Sequence, residues 1–117
     1  MKICEIEKHL GAKALTCLGL LDRDVTSACG SDMMSDVLAF VKDQAVLLTG
    51  LVNAQVVRTA MMMDMLCIVF VRNKKPTQEI LDLAEENGIV IMTTDKRMYD
   101  ACGILYSNGL NGADIKG

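Results

Sequence analysis

Residues 66–92 read LCIVFVRNKKPTQEILDLAEENGIVIM, and this stretch decides the fold. It begins with Leu66–Val71, a continuous apolar run that is typical of a strand buried on both faces. Thr77–Asn87 then has the apolar spacing of a helix, with a proline before it and Gly88 after it. Ile89–Met92 is a second apolar run. The stretch therefore predicts a strand–helix–strand unit with two parallel strands.

The same alternation continues on both sides of this unit. Apolar runs predict further strands at Ala14–Leu18, Val25–Cys29 and Ala45–Thr49. Helical spacing predicts further helices at Lys2–Leu10, Val52–Met63 and Thr94–Leu105. A turn after Gly30 predicts one more helix, capped by Ser31 or Asp32, with an apolar stripe of Met34, Val37, Leu38 and Val41. We predict an α/β fold, a single three-layer-like domain in which helices flank a mainly parallel sheet.

Length and composition limit the classes of protein that fit. The chain has 117 residues, which is the size of one domain, and we expect residues 1–106 to form it and residues 107–117 to be a flexible tail. A net charge of −3 and few aromatic residues argue against a nucleic-acid partner. The apolar runs are too short to span a bilayer, so no membrane partner is expected. Five cysteines without a C-x-x-C pair indicate reduced thiols and a cytoplasmic location.

Catalytic groups are sparse in this sequence. His9 is the sole histidine, and we expect it to be solvated on the first helix. No glycine-rich phosphate loop occurs, and the pairs Asp22 with Asp24 and Asp32 with Asp36 fit ordinary surface polarity. We therefore predict no catalytic residue, no metal site and no cofactor.

One group of polar residues follows the predicted strands, at the edge of the sheet where ligands gather in open parallel sheets. Hydroxyl, amide and basic groups there, with the following helix N-termini, suit a small anion or an adenine nucleotide. The candidate ligand-binding residues are Thr49, Gly50, Arg72, Asn73, Lys75, Thr93 and Thr94. The alternative is that these are ordinary solvated loops.

Methionine is unusually frequent, with nine residues in the chain. Met61, Met62 and Met63 are consecutive in a predicted helix, so they cannot all face one core. Since methionine adapts to irregular contact surfaces, we take these three and Met33 as candidate residues of a self-association surface. The alternative is core filling with one exposed methionine.

Residues 22–38 read DRDVTSACGSDMMSDVL. This segment resembles the signature of the DRTGG domain family, D-R-x-V-T-G-G followed by a short gap and S/G-D-L-L-S-D-V. The resemblance extends over about residues 15–105. It implies a compact α/β domain related to the N-terminal domain of HPr kinase/phosphorylase, with a role in regulation and dimerisation.

Within the motif, Asp22, Arg23 and Thr26 match, whereas Ser27 and Ala28 stand where the family has two glycines. If the family needs positive φ or close backbone approach there, its function is altered in this chain, whereas an extended strand would accept serine and alanine equally well. For the first two motif residues we expect either a mutual ion pair or contacts to neighbouring backbone rather than catalysis.

These observations predict a non-catalytic regulatory module, either ligand-sensing or protein-interacting, that acts as a homodimer. Its partners would be a second copy of itself and a protein encoded nearby. The alternative function is binding of a small anion or an adenine nucleotide. A kinase is disfavoured, because the phosphate loop of the kinase that the resemblance implies lies in a separate domain.

Overall fold

The computed structural model describes residues 1–40 and 44–112. In these residues five helices and five strands follow one another along the chain. In order they are α1 Ile3–Leu10, β1 Lys13–Ala14, β2 Ser27–Gly30, α2 Met34–Phe40, β3 Ala45–Thr49, α3 Ala54–Met62, β4 Cys67–Phe70, α4 Gln78–Glu86, β5 Val90–Thr93 and α5 Met98–Ser107. No helix among them is long and apolar enough to cross a membrane.

The five strands form one sheet in the order β1-β5-β4-β3-β2. Strands β2 to β5 are parallel, and β1 runs antiparallel to β5 at one edge. Leu48 of β3 pairs with Val69 of β4, which pairs in turn with Met92 of β5. This mainly parallel sheet with helical connections is the predicted α/β fold.

Helices cover both faces of the sheet, so the domain has three layers. Val46 and Leu48 of β3 lie in the core shared with α1 and α5. Leu47, between them, lies in the core shared with α2, α3 and α4. Because successive strand residues point to opposite faces, a strand covered on both sides must be apolar throughout, and β3 is buried along its whole length.

The predicted strand Ala14–Leu18 is wrong beyond Ala14, because side-chain chemistry ends the ladder there. Thr16 Oγ1 donates a 2.7 Å hydrogen bond to Ile89 O and accepts one of 2.8 Å from Ile91 N, so a hydroxyl replaces the backbone partner of β5. Cys17 then takes a left-handed conformation with φ of 50°, and a short 3₁₀ turn follows. A local apolar pattern carries no signal for either contact.

A strand was predicted at Val25–Cys29, but the observed strand β2 begins two residues later, at Ser27. Val25 does not pair with β3, because its backbone exchanges hydrogen bonds with Met1 at the start of the chain. The helix that follows starts at Met34 and buries Val37, as the stripe predicted, but Leu38 is exposed. Val41 of that stripe lies outside the described residues.

The segment after α5 packs back onto the edge of the sheet. The expected domain end at residue 106 falls inside α5, which continues to Ser107. Leu110 is buried, and Asn111 O accepts a 3.2 Å hydrogen bond from the backbone of Ala28 in β2. The remainder of the expected tail, residues 113–117, lies outside the described residues.

Candidate functional site

Four parallel strands end at one edge of the sheet, which we call the carboxyl edge. Asp32, just beyond β2, reaches the end of β3. Its Oδ1 accepts hydrogen bonds of 2.9 Å from Thr49 Oγ1 and 2.7 Å from the backbone amide of Gly50. Asp32 was expected to cap α2 or to be solvated. It is exposed, but its hydrogen bonds go to the end of β3 rather than to α2. Its carboxylate instead joins the ends of two neighbouring strands.

The guanidinium of Arg72, beyond β4, lies directly over Gly50. A Cβ at position 50 would be 2.6 Å from Arg72 Nη2, so glycine is what permits this approach. The hydrogen bond from the Gly50 amide holds the pKa of Asp32 below its ordinary value, with help from the Thr49 hydroxyl and the charge of Arg72. The amide and the hydroxyl therefore bind one anionic group, and the guanidinium adds positive charge nearby without a direct contact to it.

The backbone that carries this arginine is strained. Arg72 and Asn73 have φ values of 59° and 57°, a left-handed conformation that costs a residue with a Cβ about 1–2 kcal/mol. Two hydrogen bonds to the segment after β5 offset the cost: Arg72 N donates to Lys96 O at 2.7 Å, and Asn73 N donates to Thr94 O at 2.8 Å. Strain of this kind concentrates at functional sites, where the surrounding structure holds it in place.

The other candidate residues at the strand ends do not contact the Asp32 carboxylate. Thr94 is 2% exposed, and its hydroxyl donates to Leu10 O at 2.8 Å, so it fastens α1 to the sheet. Thr93 is half-buried and pairs with both neighbours of β5. Lys75 is exposed. Lys96 was outside the candidate set, and its side chain is one-third exposed, 4.0 Å from Asp95.

The first residues of the family motif, 22–26, lie at the opposite, amino edge of the sheet, whereas Asp32 of the same motif lies at the carboxyl edge. Arg23 O and Leu21 O accept hydrogen bonds of 3.0 and 2.9 Å from Ile3 N and Cys4 N, the first free amides of α1. The Arg23 side chain donates from Nη2 to Gly88 O at 2.7 Å, next to the start of β5. The same nitrogen is 3.4 Å from the carbonyl oxygen just before β4. The motif thus contacts neighbouring backbone, which was one of the two expectations for it.

The remaining motif positions lie in or beside β2. Ser27 and Ala28 are extended strand residues and do not have positive φ. Thr26 is exposed, and its amide donates to Gln44 O at 3.0 Å. Asp22 is exposed, and within residues 1–40 and 44–112 no ion pair joins it to Arg23. In this chain the altered glycine pair is therefore ordinary strand.

The candidate methionines do not form one surface. Met33 is 62% exposed and lies just before α2, at the carboxyl edge. Met61 and Met62 end α3 at the amino edge, where Met62 is 67% exposed and Met61 lines a cleft of about 300 Å³ beside Arg23. Met63 is half-buried. The two groups thus face opposite ends of the sheet.

Helix α5 carries an exposed surface that is larger than the cleft beside Arg23. The sequence analysis did not predict this surface. Tyr99 and Tyr106 are 88% and 68% exposed, with Cys102 and Gly103 between them. These four residues line a shallow depression of about 950 Å³. Residues 99, 102, 103 and 106 are spaced to share one helical face. That spacing is the sequence feature from which this exposed surface could have been predicted.

Four of the five cysteine thiols have a raised pKa in this structure. Burial raises the pKa of the Cys29, Cys67 and Cys102 thiols. Burial, together with Glu85 at 2.9 Å, raises the pKa of Cys17 to about 11. A thiol of raised pKa is a poor nucleophile at neutral pH. Within the described residues no three metal-ligating side chains come together.

Comparison with known proteins agrees with the observed fold. The sequence model of the DRTGG domain matches residues 5–107. No curated protein sequence matches the chain. A crystal structure of the CBS and DRTGG domains from the regulatory region of Clostridium perfringens pyrophosphatase, complexed with the activator diadenosine tetraphosphate, is similar with a TM-score of 0.73. The similarity has 18% identity and covers 89% of this chain and 45% of that one, so the chain spans less than half of that structure's length.

Proposed function

Because this chain belongs to the DRTGG domain family, we propose that it is a non-catalytic regulatory module that senses a small phosphate-bearing ligand at the carboxyl edge of its sheet. The regulatory region with the similar fold was crystallised with a dinucleotide activator, which makes a nucleotide a reasonable first candidate. The raised thiol pKa values support the non-catalytic part of the proposal. Five free cysteines favour a cytoplasmic setting.

The observation that carries the proposal is the placement of Arg72 over Gly50. A backbone amide, a hydroxyl and a guanidinium are the donors that phosphate oxygens require, and here all three converge. The amide and the hydroxyl already bind one anion, the carboxylate of Asp32. This arrangement is therefore chemically able to stabilise negative charge.

The ligand in this proposal competes with Asp32. The Gly50 N–H can donate one hydrogen bond, and Asp32 accepts that bond. A phosphate oxygen can therefore bind the Gly50 amide only when the Asp32 carboxylate moves away. Asp32 is exposed, and its release therefore requires no opening of the core. Ligand binding would then free the loop between β2 and α2, which gives the module two states.

Calorimetric titration with ATP and with pyrophosphate tests this function. We expect Asp32→Ala to bind more tightly than the wild type, because the internal competitor is gone, and Asp24→Ala to bind as the wild type does. Arg72→Ala should abolish binding, whereas Arg58→Ala, an exposed arginine on α3, should not. Absence of binding by both the wild type and Asp32→Ala would overturn the proposal.

Gly50→Ala adds a test of the geometry. The new Cβ would meet the far end of a flexible side chain, so Arg72 can move aside at little cost in stability. We expect weaker ligand binding with an unchanged melting temperature. Unchanged affinity would show that the arginine need not lie over position 50.

A second part of the proposal is that the module acts as a homodimer, with a protein encoded nearby as a further partner. The observation favouring self-association is the α5 surface, where two tyrosines are largely exposed. Large exposed aromatic side chains around small residues are typical of protein contact sites. Sedimentation equilibrium measures this directly, and a strict monomer would contradict it.

A further inference from the structure

We propose that the amino edge of the sheet, where the parallel strands begin, binds a basic segment of a partner protein that also carries apolar side chains. This inference rests on the partner protein in the proposed function and gives the chemistry of that partner. It depends neither on ligand binding at the carboxyl edge nor on a homodimer.

Exposed apolar side chains are concentrated at this edge. Of the eight large apolar side chains that are exposed in the described part of the chain, four lie here. Leu18 and Leu20 are in the 3₁₀ turn after β1, and Met61 and Met62 are at the end of α3. Gly88 lies between the two groups, since a Cβ there would be 4.0 Å from Leu20 Cδ1 and the residue lines the same cleft as Met61. Exposed apolar groups around one cleft are typical of a protein-binding surface.

The charged side chains at the amino edge are mainly acidic. Five exposed carboxylates lie in its loops and helix ends: Asp22, Asp24, Asp64, Glu85 and Glu86. The basic side chains there are Lys2 and Arg23, and Arg23 already donates to two backbone carbonyls. Within residues 1–40 and 44–112 no ion pair joins these groups. Lys42 and Asp43, which carry opposite charges, lie outside the described residues.

The helix dipoles add to this negative charge. Helices α3 and α4 end at the amino edge, at Met62 and Glu86, so their negative poles are there. Helix α1 begins at the same edge, but carbonyl oxygens of residues 21 and 23 bind its first amides. Arg58 is exposed one turn before Met62 on α3, and even with it the carboxylates outnumber the basic side chains. A cation is therefore attracted to this edge.

The combination of apolar contacts and excess negative charge selects the partner. An acidic segment would place carboxylates against carboxylates, whereas lysine and arginine side chains pair with them. Asp64 lines the cleft, and Glu86 directly precedes Asn87, which lines it too. Apolar side chains of the segment pack against Met61 and Met62, because methionine adapts to irregular contacts. These contacts favour a protein segment over a simple polyamine, which has no apolar side chains.

A synthetic amphipathic peptide of leucine and lysine is the probe. Fluorescence anisotropy of the labelled peptide with the full chain should show binding that weakens as sodium chloride is raised, since salt screens exposed charges. One control peptide has glutamate in place of each lysine, and a second has serine in place of each leucine. Binding of the leucine–lysine peptide alone supports the inference. Its failure to bind, or equal binding by either control peptide, would overturn it.

Charge reversal at the two ends of α4 locates the binding surface. Glu86 is at the amino edge and Glu79 is in the first turn of the same helix, and both are exposed. We expect Glu86→Lys to raise the peptide dissociation constant by about tenfold and Glu79→Lys, with the same change in net charge, to leave it near the wild-type value. An equal effect from both variants would show attraction by net charge alone and would overturn the inference. Circular dichroism melting checks that both variants fold.

Two methionines of similar exposure test the apolar contacts. Met62 is 67% exposed at the amino edge, and Met33 is 62% exposed at the carboxyl edge. Met62→Ser should weaken peptide binding, whereas Met33→Ser should not, and the reverse order would contradict the assignment. Calorimetric titration of Glu86→Lys with ATP separates this surface from the ligand site. If the peptide fails to bind while ATP binds, the inference at the amino edge is wrong and the proposed ligand site stands.

Discussion

The carboxylate of Asp32 accepts a 2.7 Å hydrogen bond from the backbone amide of Gly50, across the ends of two neighbouring parallel strands. The contact joins residues that are 18 positions apart. It makes Asp32 both a structural link and the internal occupant of the proposed ligand site. The same carboxylate should therefore affect both stability and binding.

Asp32→Asn should lower the free energy of unfolding at pH 7 by about 1 kcal/mol, the usual value of a partly exposed hydrogen-bonded contact. The pKa of Asp32 lies below its ordinary 3.8, so the stabilisation is present above that pH and is lost as pH falls through the lowered pKa. Urea unfolding at pH 7 and near pH 3 should show the difference between wild type and variant shrinking in acid. Asp24→Asn serves as the control, and an equal effect from both variants would contradict the assignment.

Gly30→Ala should destabilise the fold, because the new Cβ would lie 2.6 Å from Cys102 Sγ and 3.3 Å from Met98 Sδ. Overpacking of this kind costs about 1–3 kcal/mol. Cys102→Ala removes the closer atom, so the double variant should lose less stability than the sum of the two single variants. A double-mutant cycle measured by urea unfolding tests this, and strict additivity would rule out the close contact.

Arg23→Ala should destabilise the chain by about 1–3 kcal/mol, since two backbone carbonyls beside β4 and β5 lose a charged donor. Arg23→Lys should recover only part of this, because an ammonium group lacks the planar fork of the guanidinium. Chemical unfolding of both variants provides the measurement. Arg58→Ala, on the exposed side of α3, is the control. A stability loss no larger than that of Arg58→Ala would mean that the motif arginine has no structural role.

Alkaline pH should destabilise the protein partly through Cys17. Burial and Glu85 raise its pKa from 9.0 to about 11, so above pH 9 the unfolded chain binds fewer protons than the folded one. Stability then falls as pH rises, by about 1 kcal/mol between pH 8 and pH 10 for this group. Cys17→Ser should remove that part of the slope in urea unfolding series. An identical slope in wild type and variant would exclude a raised pKa at this position.

The sequence by itself determined the half of the chain that alternates from β3 to α5. Most of these elements are specified by a local apolar period and by nearby end signals, such as Thr77 and Asn87, which cap α4 at the predicted ends. The start of the last helix was predicted wrongly, since α5 begins at Met98 and not at Thr94, whose hydroxyl bonds to Leu10 O instead. The same reasoning brought Thr49, Gly50 and Arg72 to one edge, because parallel strands end together. The motif at residues 22–38 also indicated the family that the whole chain matches.

Tertiary structure alone decided the contacts between residues distant in sequence. Thr16 ends β1 because its hydroxyl bonds to Ile89 and Ile91. Asp32 bonds to the end of β3 rather than to α2 because the Gly50 amide is within reach. The methionines separated to opposite edges because α2 begins where the strands end, whereas α3 ends where they begin. A single side chain that bonds across tens of residues leaves no period in the sequence. The packed sheet therefore decided which polar groups meet, while local patterns decided which segments form it.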